Sequence, residues 1–231
     1  MRCAIMQPTY LPWAGYFNLM ASVDVFVFLD DVQYEQQSWQ NRNRILLDGK
    51  EHYLTVPIKN VSHKTMLADI QLVENKHWKT KHWKTLVSAY RKAPYGDELL
   101  DCLYPIFNEE SFSHLVPLNQ RIILELADRA GLAIKCISAS ELNCGGHRTE
   151  HVIAICEKLG CDTYLSPQGA REYLESDGFS LKTTINLEFQ NYSPADYEQY
   201  RTDLFHSHLS FIDVVAIQGF KQAGNYAMES L

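Results

Sequence analysis

The chain opens on a short apolar run, residues 3–6, which reads as a strand buried on both faces. Pro8 and Pro12 break it and bias Gln7 and Leu11 toward extended backbone. Apolar positions at Trp13, Phe17, Leu19, Met20 and Ala21 then recur at helical spacing over 13–22. Residues 25–29 form a second buried strand, with Asp30 and Asp31 at its carboxyl end. Two further apolar runs, 45–47 and 53–58, flank Asp48-Gly49, a strong hairpin signal. A five-residue echo, Lys76-His77-Trp78-Lys79-Thr80 and Lys81-His82-Trp83-Lys84-Thr85, opens a helix running through Tyr90 that packs one tryptophan inward. Helices at 97–107 and 113–130 follow, so 75–131 is a helical insertion between sheet strands of a single domain, 1–231.

Strands return at 133–137, 162–165 and 184–189, with a helix at 147–159 stopped by Gly160. Strand, helix and strand with a short polar loop at each carboxyl end is the βαβ pattern of a parallel sheet. A short apolar helix at 210–217 closes the fold, and the last dozen residues carry little signal. The expected class is α/β: a mostly parallel, Rossmann-like sheet with helices on both faces.

Composition narrows the function classes. Apolar residues at 46% and charged residues at 21% of 231 are ordinary globular values. A net charge of −7 argues against a nucleic-acid binder, which needs excess Lys and Arg along the phosphate path. No run has the length of a membrane span, and no signal peptide precedes the first strand, so a soluble cytoplasmic protein without membrane insertion is expected. Dinucleotide-binding, phosphate-loop and serine-elbow motifs are all missing from the sequence. Cys144, His147 and His151 have zinc-like spacing, but a structural zinc closes with a second pair, and Cys156 and Cys161 belong to the apolar face. No metal is expected.

In open parallel sheets, ligands bind outside the carboxyl ends of the strands. That rule puts Gln7, the Trp13-Gly15-Tyr16 cluster and the two aspartates on one rim, with Ser138-Ala139-Ser140, Ser166 and Gln168 added by later loops. Tyr10, Trp13 or Trp39 would stack on a base or sugar. Arg42, Arg44, Lys59 and Lys64, with His63 beside them, would hold phosphates. Asp30 or Asp31 would orient a hydroxyl or take a proton, with the other capping or pairing in salt. A small phosphorylated ligand, a nucleotide or nucleotide-sugar, is the partner this implies, and ATP or another nucleotide is the cofactor candidate.

The stretch Gln7-Pro-x-Tyr-Leu-Pro-Trp-x-Gly-Tyr-Phe, then Asp24, Asp30-Asp31-Val-Gln-Tyr and Trp39-x-Asn-Arg-Asn43, resembles the opening of the WbqC-like proteins. The similarity continues through 54–57, 90–95 and 209–214. These bacterial proteins are associated with O-antigen and other surface-polysaccharide gene clusters. The resemblance implies precursor metabolism as the setting. Within that setting, a rim of anion donors, stacking aromatics and carboxylates makes acyl or aminoacyl transfer to an amino sugar the expected reaction, with a non-catalytic nucleotide-sugar binding or assembly protein as the alternative. The first turn is also similar to nucleotidylyltransferase-type α/β proteins, in which a His-x-Gly-His motif stabilises nucleotide phosphates. Here Trp13-Ala14-Gly15-Tyr16 holds that place, so both histidines are missing; Gly15 would still let backbone approach a ligand.

Overall fold

A computed structural model describes residues 1–62, 64–75 and 77–229. The strands in chain order are β1 (Arg2–Met6), β2 (Val25–Phe28), β3 (Arg42–Leu47), β4 (Lys50–Thr55), β5 (Lys135–Ser138), β6 (Thr163–Ser166) and β7 (Asn186–Phe189). The helices are α1 (Ala14–Ala21), α2 (His77–Tyr90), α3 (Gly96–Tyr104), α4 (Leu115–Arg129), α5 (Ala139–Leu142), α6 (Thr149–Leu159), α7 (Arg171–Ser176), α8 (Phe179–Lys182) and α9 (Phe211–Met228).

β1 is the middle strand of a parallel sheet ordered β5–β2–β1–β6–β7. Chain order runs outward from β1 through β2 to β5 on one side, and from β6 to β7 on the other. This is the doubly wound, Rossmann-like order, and the direction of winding reverses between β1 and β6. Successive strand residues face opposite ways, and the burial follows that alternation. Ala4, Phe26 and Phe28 join the core under α1, α4 and α9, whereas Cys3, Ile5, Val25 and Val27 join a second core under α5, α6 and α8. The centre of the sheet is therefore buried on both faces, which is why β1 and β2 read as apolar runs.

β3 and β4 form a separate antiparallel hairpin. Asp48 and Gly49 take φ of 50° and 72°, the left-handed pair that a tight hairpin turn of the matching twist requires. α2, α3 and α4 follow it in the chain before β5. Within the echo the buried residue is His82, while Trp78 and Trp83 are both half-buried against the core, so the expectation of one inward tryptophan is replaced by a histidine flanked by two. The closing helix is longer than its sequence pattern suggested. α9 continues past Ile217 across a kink at Gly219, whose φ of 77° and close approach to the Tyr95 ring suit glycine alone. Among the described residues no helix is long and apolar enough to cross a membrane.

Candidate functional site

A cleft of about 590 Å³ opens at the carboxyl ends of the strands. Met6 and Gln7 enter it from β1, Leu29 from β2, the turn at 167–170 from β6, and Gln190 from β7. It thus lies where the winding reverses, the place an open α/β sheet offers a ligand.

The segment between β1 and α1 forms one wall and is pinned from two sides. Asn43 on β3 donates to the carbonyls of Tyr10 and Leu11, and Asn119 on α4 donates to those of Pro8 and Gln40. Leu11 is held at a φ of 44° within this clamp. Asn43 is therefore a buried scaffold residue at the margin of the site.

Two amides in the wall have fixed polarity. The Glu35 backbone N–H donates to Gln40 Oε1, so the Gln40 NH2 must be the group facing Gln7, and it donates to Gln7 Oε1 at 2.7 Å. The NH2 of Gln7 is left without a partner among the described residues. Gln190 is fixed the other way: its NH2 donates to the Gly15 carbonyl and to Asn18 Oδ1, both at 2.7 Å, leaving its oxygen without a donor among those residues. The cleft thus offers an oriented donor and an oriented acceptor.

Trp13, Trp39, Tyr173 and Tyr192 supply aromatic surface. Trp13 is braced by the His208 ring at 4.7 Å and Tyr192 at 5.7 Å. Its indole lies directly on Gly15, where a Cβ would stand 2.1 Å from Cζ2. Gly15 therefore makes room for the tryptophan, and the expected approach of a ligand to its backbone is blocked by that ring. Trp39 is 46% exposed and stacks on Tyr53, which is 48% exposed. Arg42 lies over Tyr53 and Arg44 over Trp39, at 5.2 Å and 5.5 Å.

Several expected ligand contacts are placed elsewhere. Tyr10 is fully buried with its hydroxyl 2.9 Å from His82 Nδ1, too deep to stack on a ligand. Tyr16 is buried and donates to the Gln7 carbonyl. Ser166 is fully buried and gives its hydroxyl to the Pro167 carbonyl, while Gln168 lines the cleft but spends its amide on the Gln190 carbonyl and Arg171. The four cations do not converge. Lys59 pairs with Glu74, Lys64 and Arg42 lie off the cleft, and His63 is outside the described residues. Arg44 borders only an adjoining hollow of about 220 Å³ and is tied to Glu51 at 2.9 Å.

The aspartates are both engaged. Asp30 accepts from the Ser140 backbone N–H and hydroxyl, capping α5. Asp31 Oδ1 lies 3.0 Å from His151 Nε2, while His151 Nδ1 faces the Gly145 carbonyl at 3.1 Å. An acceptor on each side favours the doubly protonated ring, and the hydrogen bond to the Asp31 carboxylate accordingly raises the His151 pKa. Neither aspartate lines the cleft. With both its nitrogens bonded, His151 has none for zinc, and among the described residues no group of three His, Cys, Asp or Glu could hold a metal.

Among the described residues, the side chains lining the cleft include no Lys or Arg, and besides tyrosine only Glu35 and His208 can exchange protons. His208 sits at the junction of the cleft with two smaller hollows and holds a left-handed φ of 57°. Gln40, Gln190, Tyr192 and His208 escaped the sequence reading. Gln190 was within reach of the same rule that found Gln7 and Gln168, since it directly follows the last strand.

The model of the WbqC-like protein family matches residues 7–224. The Mycobacterium tuberculosis (strain ATCC 25618 / H37Rv) protein Rv1507c, itself uncharacterized, is 30% identical over 201 residues, 86% of each chain. No solved structure matches the chain.

Proposed function

The chain belongs to the WbqC-like family, and on that premise we propose that its cleft binds the sugar end of a nucleotide-sugar used in surface-polysaccharide precursor metabolism. The observation that carries this reading is the lining: oriented neutral amides and indole rings, with no Lys or Arg among the described residues, at the reversal between β1 and β6. A sugar offers hydroxyls that both donate and accept, and an apolar ring face that packs on an aromatic plane. A phosphate buried there would lack a counter-charge. The nucleotide therefore extends outward, past the Trp39 and Tyr53 rings toward Arg42.

The reaction we favour is acyl or aminoacyl transfer to a sugar amine. The nitrogen lone pair attacks the acyl carbonyl, the donor's leaving group departs, and His208 takes the proton the amine releases. The His208 ring packs on Trp13 at 4.7 Å, which sets it beside the bound sugar. The alternative, a binding or assembly protein of the same pathway, is favoured by one observation: Asp30 and Asp31, one of which was expected to orient a hydroxyl or take a proton, are both committed, to Ser140 and to His151. Single-turnover assays with acyl donors and the sugar ligands found by a thermal-shift screen separate the two. Product formation that is lost in His208→Ala with binding retained supports the enzyme; saturable binding without product supports the binder; no stabilisation by any nucleotide-sugar contradicts both.

A further inference from the structure

A second hollow, of about 230 Å³, adjoins the main cleft and shares Trp13, Tyr192 and His208 with it. Five aromatic side chains line it: Trp13, Tyr192, Tyr197, Phe205 and Tyr226. The rings stand as walls. Tyr197 meets Tyr226 at 76° and Phe205 at 83°, with centroids 5.4 and 5.6 Å apart.

The three tyrosines keep their hydroxyls occupied. Tyr192 donates to the Tyr226 carbonyl, Tyr226 to the Ala195 carbonyl, and Tyr197 to Asp213 Oδ2, at 2.9, 2.9 and 2.8 Å. Each phenol hydroxyl is thereby held by an acceptor within the fold. Donation to the Asp213 carboxylate also enriches the Tyr197 ring in electron density. Among the described residues the lining holds one acid, Asp196, which has no Lys or Arg partner, and no Lys or Arg. His206, also in the wall, is turned to Glu51, and His208 packs on Trp13.

Five aromatic side chains around a small space, with one carboxylate that has no Lys or Arg partner, match the requirements of a bulky cation. Ring quadrupoles attract ammonium groups, and a partly desolvated box strengthens that attraction. We propose that this hollow is a binding site for an organic ammonium group, with the aromatic rings as its cage and Asp196 as its counter-charge. A neutral apolar group would gain the same contact area without the charge term, so the two ligand classes are separable. The site does not depend on how the main cleft is read.

The test compares choline, ethanolamine and the uncharged choline isostere 3,3-dimethylbutan-1-ol by calorimetry on the full chain at low salt. At least one ammonium compound saturates the protein and binds about tenfold or more tightly than the neutral isostere, consistent with a cation–π term plus a carboxylate. Whichever of choline and ethanolamine binds more tightly identifies the head group as quaternary or primary. Asp196→Asn and Phe205→Ala, both at exposed positions, weaken that binding severalfold at unchanged melting temperature. Equal binding of the neutral isostere, no saturation by either ammonium compound, or binding insensitive to both variants overturns the proposal.

Discussion

Gln40 donates from Nε2 to Gln7 Oε1 at 2.7 Å, and this bond decides which end of Gln7 a ligand meets. The Glu35 backbone N–H fixes Gln40, Gln40 fixes Gln7, and the free NH2 of Gln7 becomes a donor in the cleft. Gln7→Glu replaces that donor with an acceptor and sets a carboxylate where a ligand hydroxyl or carbonyl would accept. The variant is expected to lose about tenfold or more in nucleotide-sugar affinity, the scale of one hydrogen bond and its unmet partner, with a melting temperature near wild type. Calorimetry alongside thermal unfolding checks it.

Gly15→Ala places a methyl 2.1 Å from Cζ2 of the Trp13 indole, a separation no non-bonded carbon pair tolerates. The ring must leave its place between Tyr192 and His208 or the first turn of α1 must shift. We expect a loss of about 1–3 kcal/mol in stability, the usual cost of overpacking, and a changed Trp emission spectrum. A variant with wild-type stability and emission would show that the indole has room to spare.

The buried pair of Tyr10 and His82 gives a pH signature. Burial holds the His82 pKa down to about 4, against 6.5 for the free side chain, so the folded protein resists a proton that the unfolded chain accepts. Stability from this source is complete above pH 6.5 and is lost as pH falls toward 4, by about 3 kcal/mol in all. The double variant Tyr10→Phe with His82→Leu removes the titrating group and its partner together, and denaturant titrations between pH 7 and 4 should lose that component of the slope.

His151 works in the opposite direction. Its pKa is raised by the Asp31 carboxylate, so the stability it contributes is full below 6.5 and fades as pH rises through the folded value. His151→Gln keeps a donor toward Asp31 but cannot titrate, and its stability profile should be flatter than wild type on the alkaline side of 6.5. An unchanged profile would mean the pair contributes nothing measurable to folding.

The centre of the sheet was legible because burial on both faces leaves β1 and β2 as apolar runs, and the hairpin because Asp48-Gly49 has few other uses. The site was legible only in part. Strand ends locate a rim, and of the residues that rule grouped, Gln7, Trp13, Gly15 and Gln168 line one cleft while Tyr16 and the two aspartates do not. Residue type cannot say whether a polar group is already satisfied: Asp30, Asp31 and Ser166 look like chemistry in sequence and are hydrogen-bonded within the fold. The partners that consume the two aspartates, Ser140 and His151, lie 110 and 120 residues away. Gly15 shows the same limit, since its role depends on where the Trp13 side chain falls. The length of α9 was hidden because Gly219 interrupts the helical pattern at its kink.

The most direct measurement is calorimetric titration of wild type and Trp13→Ala with paired ligands, each nucleotide-sugar beside its own nucleoside diphosphate. If the cleft holds the sugar, at least one nucleotide-sugar binds wild type about tenfold or more tightly than its diphosphate, and Trp13→Ala brings the two together by weakening the sugar form alone. If the diphosphate binds as tightly as its sugar derivative, or Trp13→Ala weakens both equally, the sugar is not what the cleft recognises.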